Sequence, residues 1–160
     1  MKVMITGHRP DRLGGYNEQN PVALRIKDEL SKQFIQLLDA HPNLELITGL
    51  AQGVDTWWAE LGLKNQVPVH AYLPFTGQQS KWPRPAQDRY FGLLAKCKSS
   101  KFISPVASKQ AFLERNDAMI RDCDMAIAVW DGSTDSGTGY TVRRLRQADR
   151  KVIVLHPDGN

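Results

Sequence analysis

Three short stretches of this 160-residue chain join glycine to small hydroxyl residues where an apolar run gives way to a helix. They are Thr6-Gly7-His8-Arg9-Pro10, the longer TGLAQGVD from Thr48 to Asp55, and WDGSTDSGTG from Trp130 to Gly139. Glycine lets backbone amides approach an anion closely, and a helix start adds N–H donors with no intrahelical partner together with the favourable end of the dipole. Turns of this kind suit phosphate. In the first turn Gly7 frees the backbone, Arg9 adds a charge-assisted contact and His8 can reach a ribose or a base. In the second, Thr48, Gly49, Gly53 and Asp55 surround the start of the following helix. In the third, Gly132 opens the turn, the amides of Gly137 and Thr138 stand at the helix start, and the Ser136 and Thr138 hydroxyls are within reach. Phosphate would repel Asp131 and Asp135, so these face ribose hydroxyls or cap the turn. One such loop is also what any strand-to-helix turn looks like, and it is the occurrence of three that points to a ligand. Neither GxGxxG nor GxxxxGK[ST] occurs, so the common dinucleotide and ATP motifs are absent.

The stretch SKQAFLERNDAMIRDCD adds side chains that could act on what the turns hold. On a helical wheel Phe112, Met119, Ile120 and Cys123 form a buried stripe, with Asn116 inside it and Arg115 at its edge. Polar groups placed there need partners. Arg115 either pairs with a carboxylate such as Glu114 or Asp131, or points with Asn116 into the space where the three turns meet. Arg115 and Asp131 are therefore the candidate catalytic residues. The aromatic residues divide differently. Val54, Trp57, Trp58 and Leu61 recur at helical spacing and are expected in the core, whereas Trp82 lies in an irregular segment and is a candidate for stacking on a base or touching a partner. Cys97 and Cys123 show neither CxxC spacing nor paired histidines. No zinc site, disulfide framework or bound cofactor is implied, and both thiols are expected to be buried.

The elements that must position these residues alternate along the chain. A strand at Lys2–Thr6 is followed by a helix capped by Asn20 with Pro21 at its first position, reaching about Asp39 and burying Ala23, Ile26, Leu30, Phe34 and Leu37. A strand at Leu44–Thr48, a helix at Val54–Asn65 and a strand at Val69–Leu73 come next. After the irregular segment 75–85, a candidate lid or partner surface, follow a helix at Gln87–Lys96, a KFIS strand at 101–104 and a helix capped by Ser108. The strand Met125–Trp130, a helix after Gly139 and the strand Lys151–Leu155 complete the series. Alternation of this kind predicts an α/β fold: a Rossmann-like three-layer sandwich with a mainly parallel sheet and right-handed crossovers, as one domain over 1–160. The near-continuous apolar runs MAIAVW and KVIVL suit strands covered on both faces, and ligands of such sheets sit beyond the strand carboxyl ends.

Composition limits the alternatives. With 41% hydrophobic and 24% charged residues, and no apolar run near the ~20 residues of a membrane span, the chain is expected to be an ordinary globular protein without a membrane partner. MKVMITGHRP reads as a first strand in place of a signal peptide, so a cytoplasmic location is expected. The net charge of +4 suits an anionic partner. Residues 81–121 hold nine Lys and Arg against three Asp and Glu, and 122–137 hold four Asp with no basic residue. This is either a solvated face or the footprint of a nucleic acid.

Taken in order, TGHRP, ITGLAQGVDTWWAE, KWPRPAQDRYFGLL, ERNDAMIRDCD and AVWDGSTDSGTGYTVRRLRQADRKVIVLHP resemble the YpsA family of the SLOG superfamily. That superfamily also includes the DNA-processing protein DprA and the LOG-type cytokinin-activating phosphoribohydrolases. The resemblance covers nearly the whole chain and implies a Rossmann-like domain that binds a nucleotide or nucleotide-derived ligand, as a sensor or ligand-binding protein. GLAQGVD is similar to the DprA loop ending in Gly-Ile-Asp, which implies single-stranded DNA along the helix-start amides. ERNDAM followed by DSGTGYT is similar to the LOG pattern, in which an arginine and a Gly-Gly-x-Gly-Thr-x-x-Glu loop cleave the N-glycosidic bond of nucleoside monophosphates. Here the glutamate position falls at Thr141, and a hydroxyl cannot replace a carboxylate as general base at neutral pH. Asp131, Asp135 or Asp55 would have to take that role. Pairing through helix faces, common in the superfamily, implies a homodimer.

Overall fold

Residue-by-residue alternation sends the side chains of the first strand to two separate cores. In the computed structural model, Val3 and Ile5 of β1 (Lys2–Gly7) join one apolar cluster and Met4 joins another. The same division separates Leu46 from Ile47 in β2 (Glu45–Thr48), Ala71 and Leu73 from Tyr72 in β3 (Val69–Leu73), and Ile127 from Ala126 in β5 (Met125–Val129). With β4 (Ser99–Phe102) and β6 (Lys151–Leu155) they form one six-stranded sheet in the order β4-β3-β2-β1-β5-β6, with all five pairings parallel. This is the expected Rossmann-like three-layer arrangement. The structure describes residues 1–159; Asn160, with which the expected 1–160 domain ends, lies outside the described residues. Among the described residues no helix is long and apolar enough to cross a membrane.

Helices α1 (Pro21–Ala40), α2 (Val54–Lys64) and α3 (Arg84–Lys96) cover the first core, and α4 (Lys109–Asp122) and α5 (Gly137–Gln147) cover the second. Their starts follow local chemistry. The Asn20 side chain accepts the Ala23 amide at 2.8 Å, with Pro21 at the first helical position, and Ser108 accepts the Ala111 amide at 3.1 Å. Trp57 and Trp58 are buried as expected. The Trp58 indole donates to the Val3 carbonyl at 3.2 Å and meets Phe34 edge-on, their ring centroids 6.0 Å apart, which locks α2 between α1 and the sheet.

Several expectations need correction. KVIVL packs on both faces as expected, Ile153 and Leu155 on the first core and Val152 on the second, but it is an edge strand: β6 pairs with β5 alone, and Val154 is 40% exposed. A run of apolar residues does not specify how many neighbours it will have. Helix α3 begins three residues early, at Arg84, because Pro83 and Pro85 fit its N-cap and first turn. Helix α5 begins at Gly137, before Gly139, and β4 runs over Ser99–Phe102, two residues ahead of KFIS. Trp82 stands half-buried against Tyr90, edge to face at 5.5 Å, so part of it does belong to the core. Cys123 is buried but Cys97 is only half-buried, and burial pushes both thiols up to about 11.

Candidate functional site

The strand order reverses between β1 and β5, which opens a crevice beyond their carboxyl ends. A cleft of about 350 Å³ lies there. Its walls come from Gly7–Arg9 after β1, Ala51, Gln52 and Asp55 around the start of α2, Phe112, Arg115 and Asn116 on α4, and Ser136–Thr138 at the start of α5. Segments of all three glycine-bearing turns therefore meet on one cavity.

Arg115 forms its base. It is 4% exposed, so it lies in the buried layer of α4, where the helical wheel had placed it at the edge. Its partners are neither Glu114 nor Asp131. Nη1 donates to the Gly49 carbonyl at 3.0 Å and approaches the Tyr72 carbonyl at 3.4 Å, while Nε donates to Asn116 Oδ1 at 2.9 Å. Asn116 Nδ2 then donates to the Thr141 hydroxyl at 3.1 Å, which donates to the Gly137 carbonyl at 3.0 Å. One chain of hydrogen bonds thus ties the turn after β2 to the first turn of α5. Nη2 of Arg115 makes no hydrogen bond to any described residue.

Burial dominates the ionisation of the two charged groups at this base. It draws the Arg115 guanidinium down to about 10, the opposing Asp55 charge resisting and the like charge of Arg9 assisting, so the group stays protonated at neutral pH. Burial also pushes the Asp55 carboxyl above its ordinary value, although Arg115, Arg9 and the Ala51 amide pull the other way. Asp55 Oδ2 accepts that amide at 3.3 Å, so the turn before α2 is already served by the protein's own carboxylate.

The α5 turn is arranged differently. Ser136 caps the helix by accepting the Gly139 amide at 3.0 Å and donates to the Ser133 carbonyl at 3.1 Å. The amides of Gly137 and Thr138, in the first turn, have no carbonyl four residues back to bond and stand on the cleft wall. The Phe112 ring on the same cleft meets two guanidinium groups, with Cζ of Arg9 5.8 Å and Cζ of Arg115 5.6 Å from its centroid. The Arg9 carbonyl accepts the Arg12 amide at 3.0 Å, and its side chain makes no hydrogen bond or ion pair with any described residue.

Five expected site residues are not on the cleft wall. Thr48 is fully buried, donating to the Asp55 carbonyl at 2.8 Å and accepting the Leu50 amide at 3.2 Å, so its hydroxyl shapes the turn. Gly49 lies behind Arg115, whose guanidinium packs on its Cα face. Gly53, with φ of +95°, caps α2 against Pro10, and Gly132, with φ of +90°, turns the chain in open space. Asp131 is held by its neighbours: Oδ1 lies 3.0 Å from His8 Nε2 and accepts the Ser133 amide at 2.9 Å, and Oδ2 lies 3.6 Å from Arg12. The bonds from Ser133, followed by His8, keep its carboxyl well below the usual range. Asp131 thus caps its turn, one of the two roles expected for it. Phe112, Gln52, Asp11 and Arg12 line the cleft without having been singled out for it. The sequence signal for Phe112 was its apolar type, which assigned it to the core.

The family model described as the YspA SLOG family (YpsA) matches residues 3–155. The chain belongs to this family. A relative of the same type, a UPF0398 protein of Lysinibacillus sphaericus, is 29% identical over 154 residues, covering 90% of this chain and 83% of its own. Among solved structures, DNA processing protein A (DprA) from Streptococcus pneumoniae aligns with a TM-score of 0.65 at 21% identity, and DprA from Helicobacter pylori, described for its single-stranded DNA binding mode, with 0.66 at 19%. The alignments cover 96% and 97% of this chain but only 50% and 65% of those proteins, so this YpsA-type chain spans about half to two thirds of their length and shares their fold. Within the YpsA-type site, the position where the LOG pattern carries a glutamate is Thr141, fully buried and bonded to Asn116 and Gly137. It joins the wall from behind and does not face the cleft.

Proposed function

We propose that the cleft binds the phosphate and sugar of a nucleotide or nucleotide-derived ligand, and that the protein acts as a sensor or ligand-binding protein. The amides of Gly137 and Thr138, with the Thr138 hydroxyl, receive the anion, Ser136 holds the turn that presents them, and Arg9 and Arg115 neutralise the charge. The observation that carries this reading is Arg115, an arginine 4% exposed whose Nη1 and Nε are fixed by the protein while Nη2 is unused. Burying a cation is costly unless it is fully paired, and an anion in the cleft would complete the set. Thermal unfolding with nucleoside monophosphates, ADP-ribose, NAD and cyclic nucleotides tests it. A ligand at 100 times its Kd stabilises the native state by about 2.7 kcal/mol, and Arg9→Ala should abolish most of that shift. Absence of stabilisation by every compound at millimolar concentration would refute the reading.

A second reading, cleavage of an N-glycosidic bond, is favoured by Asp55, a carboxyl on the cleft wall that burial raises towards a general acid. Chromatographic detection of free base, lost in Asp55→Asn, would support it. No released base from any bound nucleotide would remove it.

A further inference from the structure

A second and larger groove, of about 600 Å³, adjoins the first, with Arg9 and Gln52 forming part of the wall of both. Its character is different. Pro10, Tyr16, Trp82, Pro83 and Pro85 line it. Its charged floor is internally neutralised: Arg89 donates to Glu18 and Glu60, each at 2.6 Å, and Lys27 donates to Glu18 at 2.8 Å. Lys81, exposed and without an ion pair among the described residues, also lines the groove, and between these charges a planar ring finds aromatic and prolyl faces. Tyr16 is 62% exposed and its hydroxyl has no partner among the described residues. On the wall shared with the first cleft stands Arg9, whose side chain is paired with no carboxylate among the described residues.

From this continuity we infer that the ligand has two planar rings joined through phosphate. One nucleotide occupies the cleft at α5, Arg9 holds the bridge, and the second ring stacks on Tyr16 beside Trp82. The inference rests on the nucleotide reading above and extends it. Such a unit exists as a free dinucleotide with a 5′,5′-diphosphate bridge or as two consecutive nucleotides of a single strand.

Calorimetric titration of the full chain with AMP, NAD and the single-strand dinucleotide pApA tests it. At least one two-ring probe should bind ten-fold or more tightly than AMP, and the better of the two identifies the source. Tyr16→Ala, on an exposed side chain, should leave the melting temperature and AMP affinity unchanged and remove most of the two-ring advantage, five-fold or more. AMP binding that neither two-ring probe exceeds, or an equal loss of AMP and two-ring affinity in Tyr16→Ala, would overturn the second compartment alone. Failure of all three probes to bind would overturn it together with the nucleotide reading.

Discussion

Gly49→Ala is the most direct probe of how the site is built. Gly49 has an ordinary backbone conformation, so alanine meets no torsional penalty there. The difficulty is steric. An added Cβ would overlap Nη1 of Arg115, come to 2.7 Å from its Cζ and lie 2.9 Å from Oδ2 of Asp55. The guanidinium must then retreat into a packed layer and release the Gly49 carbonyl. Overpacking costs about 1–3 kcal/mol, and a lost hydrogen bond from a buried cation about 1.5–3 kcal/mol, so partial relaxation leaves roughly 3 kcal/mol. With a urea m-value of ~2 kcal/mol/M, the midpoint should fall by about 1.5 M. Gly92→Ala is the control. That glycine lies within α3 with nothing inside 4 Å of an added Cβ, so the substitution should stabilise by ~0.5–1 kcal/mol. If Gly49→Ala lowers the midpoint by less than about 0.5 M, Arg115 is not packed against Gly49 and the account of the cleft base is wrong.

Trp58→Ala should cost about 3–5 kcal/mol in chemical denaturation, since it removes a fully buried indole, its bond to the Val3 carbonyl and its edge contact with Phe34; a loss under 1.5 kcal/mol would contradict the packing of α2. The Glu18–Arg89–Glu60 cluster should make stability acid-sensitive. Burial raises the Glu18 carboxyl, but bonds from Arg89 and Lys27 outweigh it and hold it at about 2 against an ordinary 4.5. A carboxyl lowered by folding stabilises the protein fully above about pH 4.5 and loses that contribution as pH falls towards 2. The shift corresponds to about 3.4 kcal/mol, reduced to on the order of 1–2 kcal/mol because Arg89 is 34% exposed and screened. Denaturation midpoints measured from pH 5.5 down to 2.5 should therefore fall less for Glu18→Gln than for the unmodified protein, and parallel curves would show that the cluster contributes nothing.

The elements were legible in the sequence because their signals are local. Asn20-Pro21 and Ser108 mark helix starts through bonds made within three residues, and the continuous apolar runs of β1 and β5 require no knowledge of their neighbours. The convergence of three turns also followed, since alternating strands and helices bring strand ends to one edge. What failed was long-range. Arg115 reads as an edge residue on its own helix, and its burial is explained by partners far away in sequence, above all the carbonyl of Gly49, 66 positions off. Thr48 and Ser136 are alike in type and setting, yet one is closed off by the Asp55 carbonyl and the other lines the cleft. Asp55 occupies the amide of its own turn, a competition between internal and external anions that residue types alone do not decide. β6 shows the same limit, its composition carrying no record of standing at an edge.

The hydrogen-bond chain from Gly49 through Arg115, Asn116 and Thr141 to Gly137 has an entropic consequence. A free arginine side chain has about 2 kcal/mol of rotamer entropy to lose, and here the loss is complete once the chain has folded. On the proposed reading an anion entering the cleft would meet a donor already immobilised by the protein, so the entropic cost of association would fall on the anion and on the unpartnered Arg9 side chain. Selectivity at Arg115 would then be geometric: an anion that fits Nη2 as it is held would gain the full bond, and one displaced from it could not draw the guanidinium across without breaking the link between the two turns.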